Sequence, residues 1–156
     1  MMMDDPGLRI LQLAGAGYCC SQIIVKLFLD DLGRDNPDLV RAAQGLCHGL
    51  GECSGTCGIL TGGACALGLY AGRGTDGELT DERLPLLLES YVEWFRATAT
   101  ARHGGITCGD ITGGDCSAPN PSRCGVLLAD AHAALCGILA NAGFDITTGR
   151  GDDDAF

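Results

Sequence analysis

Basic residues are scarce in this 156-residue chain. Lys26 is its one lysine, and ten Lys and Arg face twenty Asp and Glu, for a net charge of -10 and a pI near 4.4. Nucleic acid and anionic lipid surfaces need clustered cations, so that balance excludes nucleic acid as a partner class. No C-x-x-C pair occurs among the ten cysteines, which removes the thioredoxin-type motif, zinc-ribbon spacing and c-type haem attachment. Neither a phosphate-binding loop nor a Ser/His/Asp arrangement is present; "GTDG" and "GGD" lack the following lysine and the helix context. No segment shows sustained strand alternation. The uncharged run 53–72 approaches the ~20 residues of a membrane span, but its glycines and Ser54, Thr56 and Thr61 thin its hydrophobicity, so no membrane segment is expected. The opening "MMMDDPGLRI" lacks a basic, apolar secretory pattern, and the expected location is the cytoplasm.

What is abundant is cysteine and glycine, ten and 25 residues respectively. In a reducing compartment so many thiols point to metal binding or redox chemistry rather than permanent bridges, although an even count also fits a disulfide framework. The hydrophobic share of 46% and charged share of 19% describe one folded domain with its own core.

Apolar periodicity predicts helices over 6–13, 20–32, 36–47, 57–71, 84–103 and 122–142. Ile23, Ile24, Leu27, Phe28 and Leu32 share one face of the second helix, and Asn36-Pro37 supplies an N-cap and a first-turn proline for the third. The fourth contains Gly58, Gly62 and Gly68 with Ala66. Each helical glycine costs about 1 kcal/mol relative to alanine, so close approach by another backbone or a cofactor must compensate. Pro85 sits in the first turn of the fifth helix, and "HGGITCGDITGGDCSAPNPS" reads as a long functional loop with one helical turn. The expected architecture is all-α, a single-domain bundle of five or six helices over 1–146, followed by a flexible acidic tail over 147–156.

Cysteine spacing narrows the chemistry. Cys20 and Cys57 begin predicted helices, where the free N–H groups and the dipole favour thiolate. Cys53 and Cys57 are one helical turn apart and could share an ion. Cys57 and Cys65 are separated by about 12 Å on a straight helix, too far for one ion. Cys108, Cys116 and Cys124 are evenly spaced through a loop, which alone fixes no geometry. Cys19, Cys47 and Cys136 read as packing residues. His48 reads as a surface histidine, His103 as a cap for terminal carbonyls and His132 as a helix-face residue, although His132 and Cys136 have the i, i+4 spacing of a ligand pair.

The ordered segments "YCCSQ", "TCGILTG", "ITCGDITGGD" and "RCGVLLADA" resemble the C_GCAxxG_C_C family of redox-active proteins. The likeness covers about residues 8–144, with Ile59 where the family usually has alanine and six cysteines beyond its four. More distantly the chain is similar to the amino-terminal part of split-Soret cytochromes c, without their haem motifs. The resemblance implies a helical redox protein, a possible homodimer, and Cys20, Cys57, Cys108 and Cys124 as the ligands of an iron–sulfur cluster. Cys53, Cys65 and Cys116 are additional candidate metal ligands. The function expected is electron transfer with a redox partner protein; the alternatives are a metal-free thiol–disulfide protein or sensor, and a zinc-binding structural module.

Overall fold

The computed structural model describes residues 5–150. Over these residues the chain forms seven helices and no strand: α1 (Pro6–Gly15), α2 (Cys20–Asp31), α3 (Pro37–Ala43), α4 (Gly58–Ala71), α5 (Leu84–His103), α6 (Cys108–Thr112) and α7 (Val126–Asn141). The all-α class agrees with the sequence, and the helix count exceeds the expected five or six. The addition is α6, inside the predicted loop. Thr107 Oγ1 accepts from Asp110 N at 3.0 Å, and Asp110 Oδ2 accepts from Thr107 N at 3.2 Å. This reciprocal cap starts a helix between flanking glycines, with aspartate in the place usually held by Glu or Gln. The turn Cys47–Leu50 is not a true helix, because His48 and Gly49 lie in left-handed backbone conformations at φ 58° and 63°.

Local chemistry sets the other boundaries. Asn36 Oδ1 accepts from Leu39 N at 3.1 Å and Pro37 opens α3, as the Asn-Pro pair requires. That helix ends at Ala43 and gives way to a 3-10 turn, Gln44–Leu46, rather than continuing to residue 47. Pro85 lies in the first turn of α5, where its missing N–H costs nothing. A π-turn, Pro121–Gly125, precedes α7, and Gly125 N donates to Asn120 O at 3.0 Å.

Helix α2 is the centre of the molecule. Ile23, Ile24, Val25, Leu27 and Phe28 are fully buried in it and share one core with Ile59 and Leu67 of α4, Tyr91 and Phe95 of α5, and Leu127, Leu128 and Leu135 of α7. Each such side chain contributes about 1.5–3 kcal/mol by leaving water. The glycines of α4 make the closest contact possible. A Cβ on Gly62 would lie 2.8 Å from both Cα and O of Ser21 and 2.7 Å from Ile24 Cγ2, and one on Gly58 would lie 3.0 Å from Ser21 N. At Gly58 and Gly62 the compensation for helical glycine is therefore the backbone of α2. Gly63 makes room for the Tyr91 ring, whose hydroxyl donates to Ile59 O at 2.7 Å.

The π-turn and α7 together, Pro121–Asn141, are long and apolar enough to cross a membrane, with a mean hydropathy of 1.5. Here Leu127, Leu128, Ala131, Leu135 and Leu139 use that apolar character to fill the core. Of the predicted tail, residues 151–156, including Asp152 to Asp154, lie outside the described residues. Arg150 donates from Nη1 to Gly72 O at 2.8 Å.

Candidate functional site

Four cysteines from four separate segments meet at one end of the bundle. Cys20 is the first residue of α2, Cys57 is the N-cap of α4, Cys108 is the first residue of α6, and Cys124 lies in the π-turn before α7. Together they line a cavity of about 20 Å³ with Cys19, His48, Thr112, Cys116 and Pro119 among its other walls, room for about one water. Cys20, Cys57 and Cys108 therefore enter the site at helix starts, where backbone N–H groups are free of helix partners, and Cys124 enters from a turn in which its own N–H donates to Asn120 O at 2.7 Å.

Backbone pairing holds Cys57 beside Cys108. Cys57 N donates to Ile106 O at 2.8 Å, Cys108 N to Gly55 O at 3.0 Å, and Gly109 N to Cys53 O at 2.7 Å, around an isolated antiparallel bridge between Thr56 and Thr107. The loop 47–53 closes over this pairing. A Cβ on Gly49 would lie 2.7 Å from Gly55 O and 3.0 Å from Cys108 Cβ. His48, Leu50 and Cys53 in the same loop have φ of 58°, 62° and 67°, a left-handed conformation that costs non-glycine residues energy and concentrates at functional sites. Arg123 ties Cys124 to Cys108: its Nε donates to Ile111 O at 2.6 Å, at the C-terminal end of α6, while Asn120 Oδ1 accepts from Ser122 N and Arg123 N.

The electrostatics differ from what helix starts alone predict. The thiol of Cys20 is held well above its ordinary range, first by donating its hydrogen to Cys124 and then by burial and the neighbouring sulfurs of Cys57 and Cys108. Cys57 is pushed up to about 12 by burial, although the N–H groups of Ile59 and Leu60 oppose the shift. Cys108 is also raised, by burial and by Cys124. Cys124 alone is lowered, to about 7, chiefly by the hydrogen bond from Cys20, with backbone N–H donors and Arg123 assisting. Burial and mutual repulsion thus outweigh the helix dipole at Cys20 and Cys57. Four sulfurs that resist joint ionisation form a donor set suited to a cation, which reverses that repulsion and deprotonates its thiol ligands.

The remaining cysteines divide clearly. Cys19 pairs with Cys47 and Cys53 with Cys116 in disulfides, with Cα–Cα separations of 5.8 and 5.7 Å. Among the additional candidate ligands, Cys53 and Cys116 are thus joined to each other beside the cavity. Cys65 is an exposed thiol and Cys136 a half-buried one, and neither lines the cavity. Cys19 and Cys47, read as packing residues from sequence, are partners 28 residues apart; no local spacing signals such a pair. His48 lines the site, and the glycine-rich turn that follows it was the available sign.

An all-helical scaffold with a four-cysteine centre and two flanking disulfides defines a cysteine-rich helical protein. The profile described as "Putative redox-active protein (C_GCAxxG_C_C)" matches residues 18–138, and the chain belongs to that family. No curated protein and no solved structure matches it.

Proposed function

We propose that this protein is a small electron carrier in which Cys20, Cys57, Cys108 and Cys124 hold an iron–sulfur cluster. One observation carries the reading: these four thiols converge while remaining unpaired, although four neighbouring cysteines form disulfides. The donor set fits the group, since soft thiolates are the usual ligands of iron–sulfur clusters. When bound, the cluster would supply reversible one-electron transfer. The chain's own part is to bring four sulfurs from helix entrances, to offer them backbone N–H groups such as those of Ile59 and Leu60, and to exclude bulk water behind the 47–53 loop. Cys20 and Cys108 are the partly exposed members of the set and form its solvent side.

The same reading assigns the chain a redox partner protein and a homodimeric state; the expected cytoplasmic setting runs against the two bridges, which a reducing compartment disfavours. The excess of acids favours a partner with a basic docking face. Anaerobic reconstitution with iron and sulfide, followed by elemental assay and a visible spectrum, tests the reading. Iron and sulfide in fixed proportion, lost in Cys57→Ser, are expected; colourless, iron-free protein would refute it. Light scattering in solution tests the dimer.

A metal-free thiol–disulfide cycle is the second reading, favoured by the Cys20–Cys124 proton sharing and by two disulfides at the same end of the fold. It requires a new intramolecular disulfide within the tetrad after mild oxidation, visible by mass spectrometry of the alkylated protein. A zinc-binding structural module instead predicts zinc at fixed stoichiometry and no redox change.

A further inference from the structure

The far end of α2 and the middle of α7 carry a second cluster of ligating groups. Asp31 closes α2, eleven residues beyond Cys20, about 16 Å along the helix. His132 and Cys136 lie one turn apart on α7. His132 Nε2 is 2.8 Å from Asp31 Oδ2 and 3.7 Å from Cys136 Sγ, and the three donor atoms all lie within 4.8 Å of one another.

A hydrogen bond accounts for the Asp31–His132 contact, and Cys136 is the additional group at the same nitrogen. A histidine nitrogen has one proton or one lone pair, yet the carboxylate and the thiol both address the same Nε2. A triad that passes a proton through histidine would place its two partners on opposite ring nitrogens. One nitrogen, one oxygen and one sulfur around a common centre form instead a face of a tetrahedron, whose ligands sit at roughly 2.0–2.3 Å from a zinc-class ion.

The surroundings fix these ligands. Arg9 Nη1 bonds Asp31 Oδ1 at 3.1 Å and its Nη2 bonds Leu27 O at 2.9 Å, so Oδ2 remains directed at His132. Phe28 packs on the imidazole with ring centroids 4.8 Å apart, and His132 is 8% exposed. Such outer contacts orient metal ligands and set their affinity. The cluster borders a cleft of about 570 Å³ lined also by Asp30, Ile146 and Thr147. Arg9 Nε, in the same cleft wall, is buried with no hydrogen-bond partner among the described residues.

We propose that Asp31, His132 and Cys136 bind a divalent zinc-class cation, leaving its fourth position open to water or a small anionic ligand from the cleft. Cys136 ligates as thiolate, its proton passing to solvent. This three-ligand, open arrangement is the kind found in reactive rather than structural zinc sites, and it is separate from the cysteine tetrad in position and in donor type.

Cadmium-113 NMR of the reduced full-length chain loaded with cadmium distinguishes the two, because the shift depends strongly on the number of sulfur ligands. A one-sulfur resonance is expected that persists in Cys57→Ser and disappears in Cys136→Ser and in His132→Gln. Circular dichroism and the tetrad's multi-sulfur resonance report whether each variant is folded. In parallel, competition with a chelator should show at least a tenfold loss of zinc affinity at this site in Cys136→Ser. Absence of the one-sulfur resonance, or its survival in folded Cys136→Ser, would overturn the proposal.

Discussion

Replacing Gly62 with alanine sets two effects of opposite sign against each other. Alanine is favoured over glycine in a helix interior by about 1 kcal/mol, and on that ground alone Gly62→Ala should stabilise the protein. The added Cβ, however, would lie 2.8 Å from Cα and O of Ser21. These are backbone atoms of the central helix, which cannot rotate away as a side chain could. Overpacking costs about 1–3 kcal/mol, and a backbone obstacle places Gly62 at the upper end. The net expectation is a loss of about 2 kcal/mol, or a fall in Tm of about 4–8 °C for a domain of this size. Gly68 is the matched control: it lies in the same helix with nothing within 4 Å of its Cβ position, so Gly68→Ala should gain up to about 1 kcal/mol. Urea and thermal unfolding of the two variants read the difference directly. If Gly62→Ala is as stable as the wild type or more so, the close approach of α2 and α4 is not what compensates the glycines.

The remaining expectations concern the site and its supports. In metal-free, folded protein the Cys20–Cys124 pair releases its first proton near pH 7, because Cys20 donates to Cys124. Thiolate therefore forms as pH rises through about 7, and the pH profile of Cys124 alkylation by iodoacetamide, followed by mass spectrometry, should have its midpoint there; Cys20→Ala should move it upward, and an unchanged midpoint would refute the shared proton. Tyr91→Phe removes a buried 2.7 Å hydrogen bond to Ile59 O and should cost about 1 kcal/mol in urea unfolding, whereas no change in midpoint would show that the bond is energetically idle. The bridges closing 28 and 63 residues restrict the unfolded chain by roughly 3–4 kcal/mol each, so Cys19→Ser with Cys47→Ser should lower the urea midpoint; an unaltered midpoint would contradict a stabilising bridge.

The sequence contains the helices in readable form wherever chemistry is local. Asn36-Pro37 caps α3 as written, and the stripe of α5 buries Leu87, Tyr91 and Phe95. The glycines of α4 announce close packing but not its object: Gly58 and Gly62 meet α2, Gly63 meets Tyr91, and Gly68 meets nothing. Helix α6 escapes periodicity because it has only five residues and rests on its cap. Spacing alone did not determine where Cys20, Cys57, Cys108 and Cys124 would meet, and only the family resemblance grouped them. Asp31 is 101 residues from His132, so the i, i+4 pair on α7 gave no sign of its third member.

The tetrad also bears on how the molecule is built. Its members are spread from residue 20 to residue 124 and come from α2, α4, α6 and the π-turn. Unlike a zinc finger, whose fold depends on its ion, this chain has an apolar core of its own. The scaffold is therefore expected to fold without an ion, with any cofactor delivered to a finished site.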